Sequence, residues 1–295
     1  HGGAGDWIQI HTIDDRAAGH ARNLQAGLYP TEDPKARAVL CLSCHLGDET
    51  KYVTHRLMGA GHPRMAFELD LFTAGQPAHF ALDDDYRERK RAASGARTWA
   101  VGQAMALART LAGVLDPRWG RDGIFPELVF FDCHACHKPM RANRWRERES
   151  LGLGPGVVRF NDANLIMLRV VTQVVAPPLG ARIAEQGRAL HQASRKGQQA
   201  WTAAAQNLRR SALQAADALA AATFDEPTLR AVLGALVEEG AKGEYIDYVA
   251  AYQTTVAIEV IATAMTREGW LGDTERARVE RGKDALYAAV KNDER

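Results

Sequence analysis

The chain has 295 residues, of which 46% are hydrophobic and 25% are charged, and its formal net charge is +1. These values are typical of a globular protein with enough core to fold unaided, and the balanced charge gives no indication of binding to nucleic acid or to an anionic membrane. No apolar run reaches the roughly 18 residues of a membrane-spanning helix, so we expect no membrane span.

The first half of the chain is rich in turns, histidine and proline, and it has few long periodic segments. One clear helix is predicted from Thr98 to Leu115, because apolar residues recur there at helical spacing and Asp116-Pro117 ends the run. The glycine-rich stretch from Gly152 to Gly156 is the best candidate for a boundary. We therefore predict two domains, residues 1–151 and residues 152–295.

Beyond this hinge the chain is alanine-rich, contains no cysteine and carries repeated helical stripes of apolar residues. About five helices are predicted, over residues 161–175, 201–219, 229–237, 245–268 and 279–290. No strand alternation stands out. The second half is therefore expected to be an antiparallel helical bundle.

All four cysteines fall into two C-x-x-C pairs, and a histidine follows each pair directly. Covalent haem attachment needs two thiols beside one porphyrin edge and an imidazole below the iron. One helical turn places residues i and i+3 on one side, and residue i+4 continues that face, so C-x-x-C-H predicts c-type haem attachment. The expected attachment residues are Cys41, Cys44, Cys133 and Cys136, and the expected proximal iron ligands are His45 and His137.

Three other roles for the cysteine pairs are compatible with the sequence. Two C-x-x-C pairs could form a Cys₄ zinc site, but the pairs lie far apart for a zinc ribbon and the trailing histidines would have no role. A thioredoxin-like redox pair would need a βαβ setting, which the sequence does not indicate. A structural disulfide in an exported chain would likewise leave the two histidines unexplained. Haem attachment accounts for all six residues.

The sixth position of each iron decides the function: a histidine or methionine there gives a closed iron that passes electrons, and an open or water-bound position allows chemistry on small molecules. His55 and His62 are the first candidates, because they follow the first motif and lie beside Gly59 and Gly61. Glycine there lets the backbone approach a flat macrocycle closely. His20 and His11, which precede the first motif, are the next candidates.

Three segments carry a resemblance to a known family: CLSCHLGDETKYVTHRLMGAGHPRMAFELDLF, WAVGQAMALARTL and FPELVFFDCHACHKPM. Together they resemble the multihaem c-type cytochromes related to the tetrahaem electron carrier of ammonia oxidisers, over about residues 1–145. The resemblance implies closely stacked haems, mostly with two histidines on each iron. It also implies that His55 caps a different haem from the one on His45. The expected fold is all-α, with an irregular, loop-rich multihaem cytochrome domain before the helical bundle.

The chain departs from this family in its number of motifs, since the family carries four C-x-x-C-H motifs and this sequence has two. Its first residues, HGGAGDWIQIH, resemble the tail of a further motif without its cysteines. We therefore expect that the sequence begins inside a longer haem-binding chain, in which His1 was a proximal ligand.

The leading expectation is a periplasmic or extracellular cytochrome that transfers electrons through covalently bound haem c, mostly with bis-histidine ligation. Its expected partners are redox proteins, other cytochrome subunits or further copies of the chain. Two alternatives remain. One is a haem enzyme with one open iron that acts on peroxide or nitrogen oxides, and the other is a haem-bearing structural subunit of a larger assembly.

Overall fold

The structure is a computed structural model that describes residues 7–10, 19–63, 65–74, 83, 93–121, 123, 125–137, 148–154 and 157–293. This part of the chain is 68% helical, with 12 helices and no strands. The predicted all-α class is therefore confirmed. No helix among the described residues is long and apolar enough to span a membrane.

The described residues of the first half of the chain form six helices. They are α1 (Gly19–Gln25), α2 (Pro34–His45), α3 (His55–Gly59), α4 (Leu71–Ala74), α5 (Gly95–Leu115) and α6 (Cys133–Cys136), with two 3₁₀ turns at Trp119–Arg121 and Leu128–Phe130. Helix α2 begins where Asp33 accepts the backbone N–H of Ala36 and Pro34 occupies the first helical position. The predicted helix over 98–115 is present as α5, which the side chain of Ser94 caps.

Six further helices follow the hinge. They are α7 (Ala163–Val175), α8 (Pro177–Ala193), α9 (Gln198–Ala221), α10 (Glu226–Ala241), α11 (Tyr248–Arg267) and α12 (Asp273–Asp293). The five predicted helices are all present, with ends displaced by a few residues. Helix α8 is an addition to them.

Helix α5 is the central element of the fold. It packs against α2, α7, α9 and α11, and its most extensive contact is with α9. One hydrophobic core accordingly contains side chains from both sides of residue 151, such as Trp99, Leu107, Met167 and Trp201. The division of the chain at 151/152 stays a prediction, and the two parts share this core.

Two loops approach α5 closely and bring the two C-x-x-C-H motifs to the same region. A Cβ atom on Gly113 would lie 2.9 Å from the hydroxyl oxygen of Tyr52 and 3.1 Å from the ring of Phe130. Tyr52 follows the first motif and Phe130 precedes the second. Glycine at position 113 therefore allows both segments to pack on one face of α5.

Candidate haem-binding site

The first motif forms the last turn of α2, of which His45 is the final residue. Cys41 is half-buried, and Cys44 and His45 are exposed. The imidazole of His45 stacks on the ring of Phe67, with 4.1 Å between ring centroids and 12° between planes. Burial raises the pKa of the Cys41 thiol. The helical turn therefore gives the three motif residues the spacing expected for attachment, and Phe67 fixes the plane of the imidazole.

The second motif forms the short helix α6 and the residue that ends it, His137. The buried carboxylate of Asp132 caps α6 by accepting the backbone N–H of His134 at 2.9 Å, and it also forms an ion pair with Arg159. Cys133 is half-buried, whereas Cys136 and His137 are exposed. Asp132 therefore holds the motif against the segment that precedes α7.

Helix α3 brings a second imidazole to this motif. The ring centroids of His55 and His137 lie 6.0 Å apart, with 31° between the ring planes. Two imidazoles on opposite sides of one metal ion, each with a metal–nitrogen bond of about 2 Å, have ring centres roughly 6 Å apart. The separation in the structure is thus compatible with one iron between His55 and His137.

Glu127 joins the His55 segment to the second motif. Its side chain is 2% exposed. One carboxylate oxygen accepts the backbone N–H of His55 at 2.9 Å, and the other accepts the backbone N–H of Val129 at 2.7 Å. Residues 55 and 127 are therefore held together by a part-buried hydrogen bond.

His62 is exposed, and its Nδ1 lies 2.8 Å from the carbonyl oxygen of Pro63. Because a carbonyl oxygen only accepts, Nδ1 carries the proton, and in the neutral ring the lone pair is on Nε2. Histidines that bind metals commonly donate their second ring N–H to a backbone carbonyl in this way. This hydrogen bond orients the ring of His62 and leaves Nε2 as its lone-pair nitrogen.

The remaining histidines differ in their surroundings. Nε2 of His20 pairs with the carboxylate of Glu32, so this nitrogen already has a partner within the protein. His134 lies against Tyr248, with ring centroids 6.4 Å apart. His191 is buried, its Nδ1 donates to the carbonyl of Gly187 at 2.8 Å, and it has a structural role. The candidates His1 and His11 lie outside the described residues.

Apolar side chains are exposed beside both motifs. Val39 on α2 is 53% exposed, Leu57 on α3 is 47% exposed and Leu128, next to Glu127, is 42% exposed. A porphyrin held at these motifs could cover them, so the residues present fit a haem.

Within the described ranges, which contain all four cysteines, no three or more His, Cys, Asp or Glu side chains converge as a metal-ion site. The two C-x-x-C pairs accordingly do not form one four-thiol site. The cysteines are also not joined by disulfides.

The motif residues and His55 were predicted from the sequence, whereas the contacts that Glu127 and Phe67 make with them were not. A signal for Glu127 is present in the sequence, because it is the one charged residue in the apolar run Ile124–Phe131. A lone acid in such a run needs a buried hydrogen-bond partner. Phe67 carries no comparable signal.

Comparison with known proteins adds no relative: no family model, no curated protein and no solved structure matches the chain.

Proposed function

We propose that the chain is a c-type cytochrome that transfers electrons through two covalently bound haems. Cys41 and Cys44 would attach one haem above His45, and Cys133 and Cys136 would attach the other above His137. The motifs themselves, the helical turn at each of them and the exposed apolar side chains around them support this proposal. Haem supplies one-electron redox chemistry, and the protein tunes it through the axial ligands.

The proposal assigns His55 as the distal ligand of the haem on His137. The observation that carries it is the 6.0 Å separation of the two rings. His55 follows the first motif in the sequence and lies next to the proximal histidine of the second. One segment would therefore attach one haem and cap the other, as the resemblance to the multihaem cytochromes implies.

For His62 we propose a second distal role, supported by its oriented imidazole with Nε2 at an exposed position. His20, His11 and His1 stay candidates by sequence alone. Two imidazoles on one iron usually give a lower potential than histidine with methionine, because the thioether favours ferrous iron.

In this proposal the irregular first half carries the haems, and helices α7–α12 form an antiparallel bundle that supports it through α5. Covalent haem attachment takes place on exported chains, so the proposed location is the periplasm or the exterior of the cell. The proposed partners are redox proteins, other cytochrome subunits or further copies of the chain.

The test compares the ferric absorption spectra of the wild type and His55→Ala, both produced with a c-type haem maturation system. We expect the variant to keep its haem content but to show one of its two haems as high-spin, with low-spin character restored by added imidazole. His134→Ala is the matched control, since His134 lies inside the same motif against Tyr248. Its spectrum should match the wild type.

A fully low-spin His55→Ala protein would contradict the assignment of His55. Binding of carbon monoxide or cyanide by the wild type at the haem of the first motif would favour the alternative function, a haem enzyme with one open iron.

A further inference from the structure

We infer that Glu127 is a positioning residue that holds His55 on the iron of the second haem. This inference rests on the proposed function. The observation that supports it is the buried carboxylate of Glu127, which accepts the backbone N–H of His55 through one oxygen and that of Val129 through the other.

The two oxygens of Glu127 have separate tasks. The bond to Val129 caps the 3₁₀ turn Leu128–Phe130, and that bond alone would suffice to begin the turn. The second oxygen reaches a residue 72 positions away in the sequence. A purely local cap would not need this bond, so the carboxylate also serves the segment that carries His55.

Glu127 itself is anchored to the frame of the second motif. Its backbone N–H donates to the carbonyl of Gly120 at 3.1 Å. Directly after Val129, the chain pairs with the segment before α7: the backbone N–H of Asn161 donates to the carbonyl of Phe130 at 2.8 Å, and that of Asp132 donates to the carbonyl of Arg159 at 2.9 Å. The same short segment then enters α6. The carboxylate of Glu127 therefore fixes the position of His55 relative to His137.

Helix α3 has only five residues, and isolated helices of this length are unstable. The side chain of Thr54 caps it by accepting the N–H of Leu57 at 3.3 Å. Without the bond to Glu127, His55 at its first position would depend on this weak cap and on the iron itself. The distal imidazole would then leave the iron more often.

The experiment measures the rate of carbon monoxide binding to the reduced protein, which is limited by the fraction of time that His55 is off the iron. Glu127→Gln keeps the shape of the side chain but has one acceptor oxygen for two N–H donors. We expect two haems per chain, as in the wild type, and a rate roughly tenfold higher, as expected for one lost hydrogen bond to a charged group. Glu127→Asp keeps the charge but is too short to reach both donors, so it should also bind carbon monoxide faster. This second variant keeps the test decisive if Glu127→Gln does not fold.

The control is Asp225→Asn, which makes the same chemical change at the N-terminal cap of α10, outside both motifs, where Asp225 accepts the N–H of Thr228 at 3.0 Å. Its rate should equal that of the wild type. In the His55→Ala background, Glu127→Gln should add nothing, because both changes act through one ligand.

An unchanged rate in Glu127→Gln, or an increase that persists when His55 is absent, would overturn the role of Glu127 and leave the proposed function intact. A wild-type protein without covalent haem would overturn both.

Discussion

At the scale of single residues, buried carboxylates arrange the backbone around both motifs. Glu127 binds the segment of His55, Asp132 caps the helix of the second motif, and Glu68 lies next to Phe67, which stacks on His45. Each is at most 5% exposed. A buried carboxylate is costly unless N–H groups or cations satisfy it, so each of them fixes the position of its donors.

Glu68 predicts an unusual dependence of stability on pH. It accepts the backbone N–H groups of Asp70 and Leu71, but burial and the charge of Asp70 raise its pKa from 4.5 to about 8. Between these values the folded state holds a proton that the unfolded state has lost. The free energy of unfolding therefore falls as the pH rises through this interval, by at most about 1.4 kcal/mol per pH unit for one proton.

The test is urea denaturation of the wild type and of Glu68→Gln, which cannot ionise. We expect the stability of the wild type relative to the variant to decrease steadily from about pH 4.5 to about pH 8. A difference that is constant across this range would contradict the raised pKa.

The motif histidines could be predicted from local spacing, but the position of His55 could not. The helical spacing of C-x-x-C-H is local, so a proximal role for His45 and His137 could be predicted from the sequence. The approach of His55 to His137 depends on the packing of two loops on α5, and spacing alone does not contain it. The resemblance implied that His55 caps another haem, and the structure supplies the neighbouring imidazole.

At the scale of elements, a buried ion network ties the segment after the second motif to the helices of the second half. Arg148 donates to both oxygens of Asp162 at 3.1 and 3.0 Å and to Glu244 at 3.1 Å. Asp162 also lies 3.4 Å from Nε2 of His191 on α8. Burial alone would raise the pKa of Asp162, but Arg148 and His191 outweigh it, and the pKa lies well below its usual range.

Replacement of Arg148 by Met should destabilise the protein strongly, by about 3–5 kcal/mol, because it leaves the buried Asp162 without its guanidinium partner, whereas Glu244 keeps its ion pair with Arg169. The matched control is Arg230→Met, since Arg230 also pairs with two carboxylates, Glu226 and Glu275, but at an exposed position. Its loss should be much smaller. Denaturant midpoints measure both, and equal losses would contradict the assigned role of burial.

Six of the twelve helices that the structure describes were predictable from their spacing. The apolar stripes of α5, α7, α9, α10, α11 and α12 are long and periodic, and these helices are where the spacing indicates them. Helix α8 was missed because Pro177-Pro178 indicates a break in the chain. Proline is tolerated in the first helical turn, where its missing N–H has no partner to lose, and here it begins the helix.

At the scale of the whole molecule, α5 joins the two predicted domains, residues 1–151 and residues 152–295. It lies between the two motifs in the sequence, and its buried face is shared by α2, α7, α9 and α11. The sequence could predict this helix but not its partners, because an apolar stripe does not specify which helix covers it. Through α5, the helices of the second half support the segments that carry both motifs.

The central claim, that the two C-x-x-C-H motifs each attach a haem, is tested most directly by the intact mass of the denatured protein after production with a c-type maturation system. We predict the mass of the chain plus two haem groups, and the mass of the chain plus one when Cys133 and Cys136 are both replaced by Ala. A bare chain, or haem that acidified organic solvent extracts, would contradict the account.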